Sequence, residues 1–372
     1  MTNIRLLLSI LGTCLLSFSL SAQDIHFSMF DLSPLTINPA QTGSFRGTVR
    51  LGGIYRSQWQ SSNADFETIS LYADSPVLAV GKKKRDWLGV GVSIVRDVAG
   101  RENGMGDNMF GGLETSFLMP SAAFHKVLDK KGDNVLTIGV QGGSVSRGVD
   151  RDNLSFLDEF STDLGGGGLG AGNSADKSTL PNPEVNNGRG LSRINPFTDF
   201  SLGLLLSSRL SEESSFTLGA AFGHIVKIGG YNFIGGGGGG AGSNIPSELK
   251  RPGTLKFYGT YNQQITDQWS VHPMAFFQTT KGLTEVNLQS QVGYQLNDDF
   301  RLNGGLGYRL GDAAMIIGGV NYKDWRVGLN YDLTLGQTQQ VGFQNAFEVG
   351  ASYIIKLYKD PVIDPVIICP EF

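Results

Sequence analysis

Three places in the chain carry residue types that could do chemistry. Glycine runs at 165–172 and 235–242, the first followed by Lys177-Ser178, suggest a cradle of backbone amides for phosphate. Asp176 stands where a glycine must precede the lysine, and no buried strand feeds a helix there, so the runs read as flexible loop tips. Asp150-Arg151-Asp152-Asn153 and Asp158-Glu159 could offer oxygens to calcium. The glycine and the late glutamate of an EF-hand loop are missing, which leaves a solvated acidic loop, with adventitious calcium as the alternative. Ser121 and His125 fall on one face of an expected strand, but four residues of strand separate them by about 13 Å, too far for a nucleophile and its base. His26, His224 and His272 have no metal spacing, no G-x-S-x-G elbow occurs, and Cys14 and Cys369 suggest no Cys–His pair. The residues point to no catalytic site, no metal and no cofactor.

The elements that would position these groups are strands. From Glu285 to Leu296, Val286, Leu288, Val292, Tyr294 and Leu296 share one parity, while Glu285, Asn287, Gln289, Gln291 and Gln295 share the other. A period of two gives one greasy and one wet face. Leu302, Leu306, Tyr308 and Leu310 repeat the pattern, as do Trp325, Val327, Leu329, Tyr331 and Leu333. Connections such as Asn297-Asp298-Asp299, Gly311-Asp312 and Lys323-Asp324 make this a meander of antiparallel hairpins. The greasy face must meet either a protein core or lipid.

The 372 residues are 40% hydrophobic but only 17% charged, with 52 glycines and a net charge of −4. That balance carries no basic footprint for nucleic acid. Arg5, the apolar run Leu6 to Leu20 and Ser21-Ala22-Gln23 read as a secretory signal cut after Ala22. A lipoprotein signal at Cys14 is the alternative, with Thr13 where a smaller residue is expected. Beyond it no apolar run reaches the roughly 18 residues of a membrane-spanning helix. The chain is therefore an exported soluble protein or crosses membranes as strands.

The second reading gives an all-β fold: a transmembrane antiparallel β-barrel of about 14 strands. Residues 1–22 form the signal, 23–45 an extended N-terminal periplasmic lead, 46–358 the barrel and 359–372 a periplasmic tail. The longest connections, 147–197 and 227–252, fall at one end and the tight turns at the other, as expected for long extracellular loops and short periplasmic turns. Ser75 to Arg85 is an exception, long yet on the inner side. Tyr55, Trp59, Trp87, Trp269, Tyr294, Tyr308, Trp325 and Tyr358 near strand ends suit a membrane interface, although aromatics also pair across any sheet. Interior glycines such as Gly89, Gly91, Gly139 and Gly328 permit bends and close approach. Glu285, Arg301, Arg309, Arg326, Asp332, Glu348 and Lys356 would face the lumen, and their mixed signs favour a filled or plugged interior over a pore lining.

Against this background, Gln23-Asp24-Ile25-His26-Phe27-Ser28 and Ser33-Pro34-Leu35-Thr36-Ile37-Asn38-Pro39-Ala40-Gln41-Thr42-Gly43 resemble the opening of the PorP/SprF family. Tyr55-Arg56-Ser57-Gln58-Trp59, the strands around Trp325–Asp332 and Ala346–Tyr353, and the terminal Cys369-Pro370-Glu371-Phe372 are similar to its later motifs, with Glu371 in place of Arg. The resemblance implies an outer-membrane barrel of the type IX secretion system in Bacteroidetes-type bacteria. Its implied partners are secretion components in the periplasm and outer membrane and a large secreted adhesin-type protein. Residues expected to touch a partner are Asn38, Pro39, Tyr55, Trp59, Phe160, Phe233, Cys369, Pro370 and Phe372. A diffusion porin or small-molecule transporter is the alternative function, and a soluble secreted β-sandwich the alternative fold.

Overall fold

A computed structural model describes residues 25–58, 65–80, 85–101, 113–150, 191–225, 253–280, 283–335 and 345–357. The strands are β1 Val49–Gln58, β2 Asp65–Val80, β3 Asp86–Arg101, β4 Leu113–Val127, β5 Asn134–Asp150, β6 Leu191–Arg209 and β7 Ser214–Gly223. They continue as β8 Thr254–Gln264, β9 Trp269–Thr280, β10 Leu283–Asn297, β11 Phe300–Arg309, β12 Ala313–Tyr322, β13 Trp325–Thr334 and β14 Ala346–Ile355. Each pairs antiparallel with its sequence neighbours, and β1 closes on β14 to complete a barrel. The closing seam is unbroken from Val49↔Ile355 to Gln58↔Ala346.

The period-two reading of β10 holds. Leu288, Val292 and Leu296 are exposed on the outer face, while Asn287, Gln289 and Gln291 are buried inside. Leu306, Ile316, Leu329 and Leu333 extend the apolar exterior. A soluble sheet would cover such a surface with a second layer; here only the lumen is filled, so the exterior meets lipid. No helix among the described residues is long and apolar enough to cross a membrane.

Connections sort by end. Residues 128–133, 210–213, 265–268, 298–299 and 323–324 are the inner turns, whereas β5 and β6, like β7 and β8, are connected from their outer ends by long stretches of sequence. The sorting is incomplete, because the outer connections 281–282 and 310–312 are also short. The expected exception at Ser75 to Arg85 disappears. β2 runs on to Val80, and its ladder with β3 shifts between Pro76 and Leu78, where proline has no N–H to donate.

Aromatic pairs mark the inner rim. Trp269 and Tyr294 lie 4.6 Å apart between ring centroids, Trp325 and Tyr353 4.5 Å. Both pairs occupy the inner ends of their strands, the level at which a ring with a polar handle bridges hydrocarbon and water. Trp87 departs from that expectation. It points into the lumen, stacks on His125 at 4.4 Å and donates its indole N–H to the Gly43 carbonyl at 3.0 Å.

The largest difference concerns the N-terminal segment. Residues 25–45, expected as an extended periplasmic lead, fold inside the barrel as a plug. Phe27, Met29, Phe30, Leu32, Leu35, Ala40 and Phe45 are all buried, as are Ser28, Ser33, Asn38 and Thr42. Local structure follows from the motif. Pro34 starts a single α-helical turn, α1 (Pro34–Ile37), and Pro39 starts a 3-10 turn capped by the Asn38 side chain, which accepts from Ala40 N at 2.8 Å. An isolated segment this short would not hold these turns in water. The barrel wall supplies the packing that does.

Candidate functional site

The plug meets the wall in three zones. At the outer end, Ser28 and Met29 are clasped by charged side chains from four strands. Glu348 of β14 accepts the Ser28 N–H at 2.7 Å and the Met29 N–H at 2.9 Å. The Ser28 hydroxyl donates to Asp332 of β13 at 2.9 Å and accepts from Arg56 of β1 at 2.8 Å. Arg56 pairs with both Glu348 and Asp332, and Arg309 of β11 reaches Asp332 at 2.6 Å and Asp312 at 2.7 Å. Gln289 of β10 donates to the Ser28 carbonyl at 3.1 Å. Arg56, Asp332 and Glu348 are almost wholly buried, so each charge is tolerable only because an opposite charge or an N–H faces it. The mixed signs expected in the lumen thus belong to a filled interior. Lys356 is the exception: it lies exposed at the inner rim, paired with Asp324 at 2.6 Å.

Below this clasp, apolar plug side chains enter slots left by glycines. Leu32 and Met29 lie against Gly328, and Leu32 also against Gly350, where an added Cβ would come within 3.0 Å of them. Phe30 stacks on Phe276 at 5.4 Å, in a cluster with Ile37, Leu205, Tyr258 and Met274.

The third zone holds the Asn38–Gly43 motif. Asn38 donates from its amide to the carbonyls of Leu204 at 2.8 Å and Ala220 at 3.3 Å. Asn38 lies over Gly203, Ala40 over Gly139 and Thr42 over Gly89, each so close that a Cβ on the wall glycine would collide. Gly43 has φ +71 and touches Gly89 Cα, so it needs both the left-handed backbone and the missing side chain. Asp74 accepts the Gly43 N–H at 2.7 Å and grips Arg50 at 2.9 and 2.8 Å. Thr42 donates to Ser121 at 2.8 Å, and its carbonyl meets His125 Nε2 at 2.8 Å. Ser121 and His125 are therefore plug anchors, each engaged by Thr42.

Asn38 and Pro39 were expected to contact a partner; both are buried against the wall and out of reach of one outside the barrel. Prolines without a clear period suggest an extended lead with turns for this stretch, and nothing in the motif itself names the wall it packs on. The lumen-facing glycines of β3, β5 and β6 were the available signal that something packs there. Tyr55 lies on β1 with its hydroxyl donating to Glu67 at 3.1 Å. Trp59, Phe160, Phe233, Cys369, Pro370 and Phe372 lie outside the described residues, as do both glycine runs and the acidic stretch after Asp150. Among the described residues no group of acidic, histidine and cysteine side chains could hold a metal.

Asn38→Ala removes two donations and one cap at a buried position. Urea unfolding should show a loss of about 1–3 kcal/mol, the cost of stranding buried polar groups. Asn38→Asp, which cannot donate, should be no better; a full rescue by aspartate would show that the amide is not the anchor.

Comparison with known proteins fits this architecture. The model of the type IX secretion system membrane protein PorP/SprF family matches residues 19–353. No curated protein is similar enough in sequence to match. Among solved structures, the Pseudomonas putida toluene transporter TodX aligns at 11% identity over 90% of this chain and 98% of that one, with a TM-score of 0.46. The Ralstonia pickettii toluene transporter TbuX aligns at 13% identity over 86% and 92%, with a TM-score of 0.45. The KdgM porin aligns at 6% identity over 82% and 98%, with a TM-score of 0.32. These likenesses carry nothing about ligand or transport. The family match covers nearly the whole barrel together with its plug, and the chain belongs to the PorP/SprF family of type IX secretion system proteins, an outer-membrane β-barrel of that system.

Proposed function

We propose that this barrel is a non-enzymatic scaffold that supports secretion, or attachment at the cell surface, of a large adhesin-type protein carried by the type IX system. The observation behind this reading is the filled lumen: residues 25–45 are latched to the wall at both ends, which suits an anchor better than a conduit. Family membership supports association with other secretion components. On this reading the secreted partner contacts the outer connections 151–190 and 224–253, including Phe160 and Phe233. The periplasmic components meet the tail with Cys369, Pro370 and Phe372. Trp59, just beyond β1, would add a contact at the outer rim. A diffusion porin needs a lumen that solutes can cross, and the plug argues against one.

Cross-linking in native membranes followed by purification of the intact barrel should return a large secreted surface protein together with type IX components. Deleting 151–190 should release the surface protein and keep the secretion components. Purification of the barrel with neither class attached would overturn the reading.

A further inference from the structure

The inner turns of the barrel are sorted by charge. Arg85 ends the connection from β2 to β3, and Lys82, Lys83 and Lys84 stand directly before it in the sequence, with no carboxylate among them. The β4–β5 turn contributes Lys130 and Lys131, both exposed. Further round the rim the sign reverses. Glu212 and Glu213 lie between β6 and β7, Asp267 between β8 and β9, and Asp298 and Asp299 between β10 and β11, all of them exposed. The net charge of −4 conceals this division.

Strand order makes the two basic turns neighbours. β2, β3, β4 and β5 pair in sequence, so both turns open on one arc, and Arg85 donates to the Lys130 carbonyl to join them. Asp129 and Asp133 share the second turn, but Asp129 is taken up by its own backbone, accepting the Asn134 N–H at 3.0 Å. Among the described residues no carboxylate pairs with Lys130 or Lys131. Lysines at a membrane rim can also serve lipid phosphates. Here the lysine placed for that duty is already engaged: Lys126, on the outward face of β4 beside the exposed Phe124, gives its ammonium to Asp86 at 2.7 Å. Lys130 and Lys131 lie past the strand end, in the turn itself. Like charges in two touching turns repel within a Debye length of about 8 Å at physiological salt. A protein surface of opposite sign removes that repulsion.

We propose that the arc formed by Arg85, Lys130 and Lys131 is a docking surface for a periplasmic protein with an acidic face. The adjoining acidic arc keeps that partner to one side of the barrel: a negative surface is steered to the basic turns and turned away from Glu212, Glu213 and Asp267 by like-charge repulsion. The docking surface rests on the reading above that the barrel works with periplasmic type IX components.

The test is cross-linking in native membranes followed by purification of the intact barrel. Lys130→Glu combined with Lys131→Glu should lower the recovery of the periplasmic type IX components that wild type retains by about tenfold, and leave the secreted surface protein attached. Lys130→Arg with Lys131→Arg keeps the charge and should keep the components. Glu212→Lys with Glu213→Lys makes as many reversals in another exposed inner turn and should not lower the recovery. Heat-modifiable mobility reports whether each barrel is closed. Should the glutamate pair not close, cross-linking wild type at raised salt screens the same contact and should lower the recovery likewise. Undiminished recovery in the closed glutamate pair, an equal loss in the Glu212 and Glu213 pair, or loss of copurified anionic phospholipid with every component retained would each overturn the proposal. Wild type that retains the surface protein and no periplasmic component overturns this docking surface alone. Wild type that retains neither overturns the function proposed above, and the docking surface with it.

Discussion

Glu348→Ala should be among the most damaging single substitutions in this barrel, costing about 3–5 kcal/mol, the range for breaking a buried ion pair by removing one partner. Glu348 is fully buried and holds three donors: the N–H groups of Ser28 and Met29 and the Arg56 guanidinium. Alanine leaves both N–H groups without an acceptor and leaves Arg56 facing Asp332 at 3.2 Å as its remaining carboxylate. The clasp also spans the closing seam, since Arg56 is on β1 and Glu348 on β14, so the damage falls on both plug and closure. Urea unfolding in lipid vesicles measures the loss. Arg56→Met with Glu348→Leu removes both charges together and should be less harmful than Glu348→Ala alone, because no unpaired charge stays buried. If Glu348→Ala stayed close to wild type, the clasp would not be what holds the plug.

Much of the barrel was legible because its determinants are local in sequence. Alternation of Asn287, Gln289 and Gln291 with Leu288 and Val292 sets strand, face and register at once. Tight polar turns then force neighbouring strands to pair. The plug was not legible, because its determinants are distant. Ser28 is held by Glu348 and Asp332, and Thr42 by Ser121 and His125, and no periodicity in residues 25–45 announces those partners. The same distance hid the meaning of the glycines. Gly89, Gly139 and Gly203 resemble Gly304 and Gly318 in sequence, yet the first three face the plug at collision distance and the last two face open space. Trp87 was misplaced for a related reason: an aromatic at a strand end suits a membrane interface equally well until Gly43 and His125 are seen to claim it.

Those two classes of glycine give the second large effect. Gly203→Leu should expel the Asn38–Thr42 segment and open the barrel. A Cβ at Gly203 would sit 1.9 Å from Asn38 Oδ1 and 3.0 Å from Ala40 N. At Gly139 it would sit 2.3 Å from Ala40 N and 2.4 Å from the Pro39 carbonyl carbon. The backbone atoms of Pro39 and Ala40 cannot rotate away, the Asn38 side chain is itself held by Ala40 N and the Leu204 carbonyl, and the wall strands are fixed by their ladders, so the plug is the part that must move. Planar-bilayer recordings should pass from no large openings in wild type to steady ones in Gly203→Leu and Gly139→Leu, and protease should begin to cut within 25–45. Gly304→Leu is the control. It adds the same side chain to the outer face, where a Cβ meets nothing within 4 Å, and should leave the recordings unchanged. Large openings in Gly304→Leu, or a silent and protease-resistant Gly203→Leu, would show that the glycine track is not the plug's seat. The contrast isolates the lumen contact from the general cost of a leucine in a strand, since both residues are paired on both sides in their sheets and differ in what they face.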